Sequence, residues 1–298
     1  MGLLTVFANF RIDSEERLLR MKDSFHSFCG ADIEKWVINI RGPLKCQATA
    51  FLRNQLGDSL ILFELESSQG WFHDTRQMLP TIKSDYVFFW LEDHLCISGI
   101  DYFNKVVSEM KLFNAEYLLY SAFHHGTTLR SFDCLPFLNG DSIILVNYDI
   151  PSHKRRLEYI NSNKLICATF IISCCSILKA SLFAKIVSND DLLIRRWPRE
   201  TPFDFEKNSS DIRWLPIRVA QTKAEFFSFI DDDHGDDNLS LVSRGLYPNR
   251  VSREKILEIR KRHIKSSTFP ILRKFLRPLV AIESKIRYAL ALWENRNV

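Results

Sequence analysis

Apolar and polar positions fall into blocks from the start of the chain. Leu3 to Phe10 is apolar and β-branched and predicts a first strand, closed by Asn9-Phe10-Arg11. Asp13 or Ser14 can cap the helix that follows to about Phe28, with Glu15 and Glu16 in its first turn. Lys35 to Ile40 predicts a second strand, ended by Arg41-Gly42-Pro43, and a helix near Gln47 to Leu56 leads to a third strand, Ser59 to Leu65. A loop through Ser67 to Gly70 opens a helix from Trp71 to Ile82. The most sharply bounded block is Ser84 to His94. It starts polar, runs apolar through Tyr86 to Leu91, and stops on Glu92-Asp93-His94. A continuous apolar run of that length reads as a strand buried on both faces, with its acidic cluster at the carboxyl end, where open α/β sheets place ligands.

The second half is less regular. It predicts a helix over Asp101 to Phe113, a strand over Ala115 to Phe123 followed by His124-His125-Gly126, and a short strand over Ser142 to Val146. A polar helix over Arg155 to Asn161, a buried strand over Ile166 to Cys175 and a helix over Ile177 to Val187 follow. Asn189 to Asn208 is dense in charge and aromatics, Trp214 to Val219 predicts a last strand, and Phe226 to Asp233 leads into the acidic loop Asp231 to Asp237. Strands alternating with helices imply βαβ units and a parallel sheet. The expected architecture is one α/β domain with a mostly parallel central sheet flanked by helices. Its first half spans 1–98, its second 99–248, and a basic helical tail occupies 249–298.

Composition narrows the class. The 298 residues are 46% hydrophobic and 26% charged, as in an ordinary globular protein. Seven scattered Cys without a C-x-x-C pair argue for free thiols in a reducing compartment. No signal peptide is expected, because Met1 to Val6 lacks a basic start and enters a strand-like segment directly. No apolar run is long enough for a membrane span. The total charge of +4 is unevenly shared. Residues 250–298 hold thirteen Lys or Arg against four Asp or Glu, a net of +9, which leaves −5 on the rest. Ile271, Leu272, Phe275, Leu276, Leu279 and Ile282 recur in that tail at helical spacing between basic residues. A basic amphipathic segment suits an anionic membrane surface; packed against the body it would be a helix with a solvated charged face. No nucleic-acid partner is expected.

Two carboxylates and an imidazole at a strand end can hold a divalent cation, and a cation can hold a diphosphate. No dinucleotide fingerprint and no P-loop accompany them. Gln69-Gly70, Arg76-Gln77 and Asp85 to His94 together resemble the nucleotide-sugar glycosyltransferases of the GT-A fold, above all the large family 2 type. In that family a Gly-bearing loop opens a helix with an Arg-Asn pair, and a later strand delivers an Asp-x-Asp metal motif. Counting from Tyr86 puts Leu91 and Asp93 on the two Asp positions, and counting from Arg76 puts Glu92 and His94 there. The resemblance covers roughly the first 95 residues, the remainder only by general layout.

The resemblance implies a GT-A-like domain that moves a sugar from a nucleotide-diphosphate donor to a polysaccharide or lipid-linked glycan. The enzyme would be a hexosyltransferase, cytoplasmic and peripherally held at the inner face of the membrane. It implies that Asn9, Arg11, Asn39, Arg41, Glu64, Arg76, Glu92 and Arg244 surround the donor. Asp93 and His94, with His234 from the late acidic loop, would hold Mn²⁺ or Mg²⁺. The general base falls in Trp197 to Lys207, as Glu206 or Asp204 near the amino end of a helix beginning at Thr201-Pro202. Two other classes would use the same features. A metal-dependent nucleotidyl- or phosphotransferase would use the acidic strand end, and a non-catalytic membrane-associated module would use the tail.

Overall fold

The computed structural model describes residues 4–67, 70–119, 132, 134–163, 171, 174–189, 214–231 and 239–250. The chain divides into two compact units, 1–247 and 248–298, and the fold described below is that of the first. Its elements are β1 (Leu4–Arg11), α1 (Glu15–Phe28), β2 (Lys35–Arg41), α2 (Lys45–Leu56), β3 (Leu60–Phe63), α3 (Trp71–Met78), β4 (Tyr86–Phe89) and β5 (His94–Cys96). Then come α4 (Ile100–Leu112), β6 (Tyr117–Leu118), β7 (Phe137–Asn139), β8 (Ile143–Tyr148), α5 (Ile150–Ser162), β9 (Ser176–Lys179), α6 (Ala180–Ser188), β10 (Ile217–Thr222) and β11 (Phe227–Phe229).

Nine of these strands form one sheet in the order β3-β2-β1-β4-β9-β6-β10-β8-β7. β3, β2, β1 and β4 are parallel to one another, β9 and β8 run against their neighbours, and the other strands keep the first direction. The sheet is therefore mixed and largely parallel, with helices on both faces, the class of architecture that the glycosyltransferase resemblance implies. β5 and β11 form a separate antiparallel pair beside it.

Alternation along β1 explains the two layers. Leu4, Val6, Ala8 and Phe10 face a core shared with α1, α2 and α4, through Phe25, Phe28, Leu52 and Phe103. Phe7 faces the other way, onto Trp71, Phe89 and Phe183 of α3, β4 and α6, at centroid distances of 6.4, 6.2 and 4.9 Å. On the first face Phe28 meets Trp36, Phe88, Trp90, Phe103 and Phe227 within 6.2 Å. Each such pair adds about 0.5–1.5 kcal/mol beyond simple burial.

Several elements differ from the sequence reading. Most of the strand expected at Ile166 to Cys175 lies outside the described residues; a strand is observed at Ser176–Lys179, where the sequence predicts the start of a helix, and the helix starts at Ala180. This stretch is apolar without a clear period, so hydrophobicity alone could not place the boundary. Helix α5 starts five residues earlier than expected, because Asp149 caps it, accepting from Ser152 N at 2.8 Å, and Pro151 fits its first turn. The last sheet strand is Ile217–Thr222 rather than Trp214 to Val219. His94, read as a polar strand end, begins the short strand β5.

Candidate active site at the carboxyl edge of the sheet

At the carboxyl edge of the four parallel strands, β1 and β2 run past β4, which stops opposite Phe7, and β3, which stops opposite Asn39, and they carry matched residues there. Asn9 lies opposite Asn39 and Arg11 opposite Arg41 in the register. Both Asn side chains are buried and engaged by the fold. Asn39 Nδ2 donates to Asn9 Oδ1 and to Leu65 O, each at 3.0 Å, and its Oδ1 accepts from Leu65 N at 2.7 Å. Asn9 Nδ2 donates to Trp71 O at 3.2 Å and Thr75 Oγ1 at 3.0 Å, while Trp71 Nε1 donates to Asn9 O at 2.8 Å. The sequence reading set these two amides against the nucleotide; the structure makes them the rivets that hold the β3–α3 connection on the sheet edge. Gly70 begins α3 at φ +86°, a conformation that favours glycine. Asp74 completes the joint by accepting from Ser67 N at 3.3 Å. Burial raises the Asp74 carboxyl pKa, opposed by the Ser67 N–H and the charge of Arg41.

Above this layer Arg11 pairs with Glu66 at 3.1 Å, both half-exposed. Arg41 is buried beside them, and Glu64 is exposed. Gly42 lets the chain turn close over Ile12: a Cβ there would stand 2.5 Å from Ile12 O.

The acidic turn sits next to this ladder. Trp90 N donates to Phe7 O at 2.9 Å and Trp90 Nε1 to Ser24 Oγ at 2.8 Å, so the residue after β4 stays tied to β1 and α1. Glu92 is buried, with its Oε1 3.8 Å from Arg17 Nε. Burial, with the Asp93 charge adding, pushes the Glu92 carboxyl up to about 7 against the pull of Arg17. Asp93 Oδ1 accepts from His94 Nδ1 at 2.6 Å. Burial would raise Asp93, but the His94 ring and Arg17 outweigh it and bring it down to about 2. Ile230 N donates to Asp93 O at 2.7 Å, and Ser24 Oγ donates to His94 O.

Arg17 was not singled out by the sequence reading, yet it links the two clusters. Its Nη1 donates to Arg11 O at 3.2 Å and lies 3.7 Å from Asp13 Oδ2. Its place in the first turn of α1, capped by Ser14 (which accepts from Arg17 N), carries the guanidinium to the strand ends. A cation three residues into a helix after an Asn-x-Arg strand end was the available signal.

Among the described residues no three His, Cys, Asp or Glu side chains form a metal cluster. Asp93 leaves 48% of its side chain exposed, whereas His94 leaves 5% and has its Nδ1 tied to Asp93. That donor set suits a hard divalent cation shared with phosphate oxygens, since Mg²⁺-type ions often take only one or two carboxylates from the protein. His94 acts on the carboxylate here, and His234 lies outside the described residues.

Two other expected donor residues are placed elsewhere. Arg76 donates to Val187 O and Asn189 O, at 2.9 and 3.1 Å, and so caps the carboxyl end of α6. Arg244 meets Glu225 at 2.6 Å. Tyr247 OH donates to Asp23 at 2.5 Å and docks this segment on α1, where Arg20 also pairs with Asp231, just after β11, at 3.2 Å. Glu206, Asp204, His124, His125 and the basic tail from 251 lie outside the described residues. No described helix is long and apolar enough to cross a membrane.

No family model matches the sequence. No curated protein matches it either. Among solved structures, S. aureus TarS 1-349 in complex with UDP-GlcNAc aligns at 14% identity and a TM-score of 0.47, over 76% of this chain and 57% of that one. S. aureus TarS itself aligns at 13% identity and 0.44, over 76% and 36%. This chain thus spans roughly a third to three-fifths of the TarS structures that it matches, and it is similar to them in layout.

Proposed function

We propose that the chain is a nucleotide-sugar glycosyltransferase of hexosyl type, working on a polysaccharide or lipid-linked glycan. The observation that carries this reading is the juxtaposition, at the carboxyl edge of parallel strands, of the Arg11–Arg41 pair with the half-open Asp93 carboxylate. Guanidinium forks suit the hydroxyl and phosphate groups of a nucleotide, and Glu64 or Glu66 suits its ribose or base donors. Asp93, with phosphate oxygens, would hold Mn²⁺ or Mg²⁺, which when bound supplies positive charge for the leaving diphosphate. His94 keeps the Asp93 carboxylate ionised and fixed in direction, and Arg17 adds charge beside it. Deprotonation of the acceptor hydroxyl falls to Glu206 or, failing that, Asp204, work worth about 10²–10⁴ in rate. Residues 1–98 would be the donor half, 99–248 the acceptor half, and 249–298 a basic tail holding the enzyme at an anionic membrane face.

The test is turnover of a panel of UDP-, GDP- and dTDP-sugars with and without Mn²⁺. Release of nucleoside diphosphate is expected. Pyrophosphate release would reassign the chain to nucleotidyl transfer, and vesicle binding without turnover would make it a non-catalytic module.

A further inference from the structure

One buried side chain beside the acidic turn has no part in the reading above. Cys175 Sγ accepts from Leu91 N at 3.3 Å and donates toward Leu91 O at 3.8 Å. Leu91 is the residue immediately before Glu92-Asp93. The regular ladder between β4 and β9 ends at Phe89 opposite Ser176, the neighbour of Cys175. The thiol therefore extends that ladder past its last backbone pair, and a side chain stands in for the missing strand partner. The backbone on either side of Leu91 is also held, by Trp90 N to Phe7 O at 2.9 Å and by Ile230 N to Asp93 O at 2.7 Å. Leu91 lies between them and is held from the β9 side by sulfur.

We propose that Cys175 is a positioning residue for Asp93, fixing the acidic turn through the Leu91 backbone and so tying the start of β9 to the diphosphate end of the site. The proposal rests on the glycosyltransferase reading for its functional consequence only. Burial pushes the Cys175 thiol well up, the charges of Asp93 and Glu92 adding to it, so the group stays protonated. It is a hydrogen-bonding clamp and not a nucleophile.

The experiment compares Cys175→Ala with Cys175→Ser in the full chain. The two substitutions leave similar space, so their difference isolates the hydrogen bond from the packing. Amide hydrogen exchange is read at residues 90–93, alongside the apparent Kd for UDP, GDP and dTDP with Mn²⁺ and the kcat and KM of donor turnover. Ala is expected to speed exchange at Leu91 and to raise the nucleotide Kd and donor KM about two- to tenfold, the weight of one net hydrogen bond, with a smaller change in kcat. Ser is expected to restore both readouts. Unchanged exchange in Ala, equal impairment in Ser, or faster exchange with an unchanged Kd would each overturn the proposal. A wild-type chain that binds no nucleoside diphosphate would instead sink the glycosyltransferase reading. Exchange at Leu91 would then decide alone whether the thiol holds the turn.

Discussion

The carboxyl edge of the sheet is built in two manners a few residues apart. Around Asn9 and Asn39 the polar groups are saturated: amides, backbone and hydroxyl answer one another in a closed network. Around Glu92 and Asp93 the charges remain unsettled. One carboxyl is pushed up to about 7 and its neighbour down to about 2, with Arg17 and His94 sharing the imbalance. A satisfied network fixes geometry, whereas perturbed carboxyls beside open space are where proteins put chemistry. The difference separates the residues that shape the site from those expected to act in it.

The largest effect should follow from Asp93→Asn, which keeps shape and removes charge. Donor turnover is expected to fall about a hundred- to a thousandfold, the scale of losing one main electrostatic contact in a transition state. Near-normal turnover in the folded variant would erase the distinction between the two clusters. Asn39→Ala should act through stability. It removes both amide donations and the Leu65 bond, leaving buried groups of Asn9 and Leu65 unanswered, for a cost of about 3 kcal/mol in urea unfolding. A loss of activity at unchanged stability would move Asn39 into the acting group.

Glu92→Gln tests the unsettled side through pH. The folded-state carboxyl lies near 7, above its ordinary value of 4.5, so the folded protein holds a proton that the unfolded chain has released. The pH-dependent cost of burying Glu92 is therefore absent below about pH 4.5, and stability falls as pH rises toward 7. Gln should stabilise the protein by about 3 kcal/mol above pH 7, with the gain vanishing near pH 4. No gain above pH 7 would mean that Arg17 neutralises Glu92 fully.

The first four strands and the acidic strand end were legible in the sequence because their apolar blocks are long and their stops abrupt. The start of α1 was legible to within a residue, as a cap at Asp13 or Ser14, and Ser14 is the one that caps it. Lys179 and Ala180, where β9 gives way to α6, were not legible, since strand and helix look alike in an apolar stretch buried on both faces. Within the site, residue type pointed to Asp93 but could not distinguish a side chain facing a ligand from one facing the fold. Asn39 and Arg76 both sit at plausible positions, and only their partners, Leu65 for one and the end of α6 for the other, reveal a structural task. Arg17 went unread because its role depends on Arg11 and Glu92, which are adjacent to it in space alone.

The smallest effect is expected where the two regions meet solvent, at the Arg11–Glu66 pair. Both side chains are half-exposed, at 50% and 51%, and their 3.1 Å contact is screened by water and salt. Such pairs contribute about 0–1 kcal/mol, so Glu66→Gln should shift unfolding by less than about 0.5 kcal/mol and less still in high salt. If the pair belongs to the acting group, however, releasing Arg11 from its carboxylate should change nucleotide affinity out of proportion to stability. Tighter binding of a nucleoside diphosphate would mean that Arg11 serves phosphate and that Glu66 competes for it. Weaker binding would mean that Glu66 itself accepts from the ribose or base. Calorimetric titration of the wild type and Glu66→Gln at two salt concentrations distinguishes these outcomes. An affinity change no larger than the stability change would assign Arg11–Glu66 to the rim and leave nucleotide recognition to Arg41 and its neighbours.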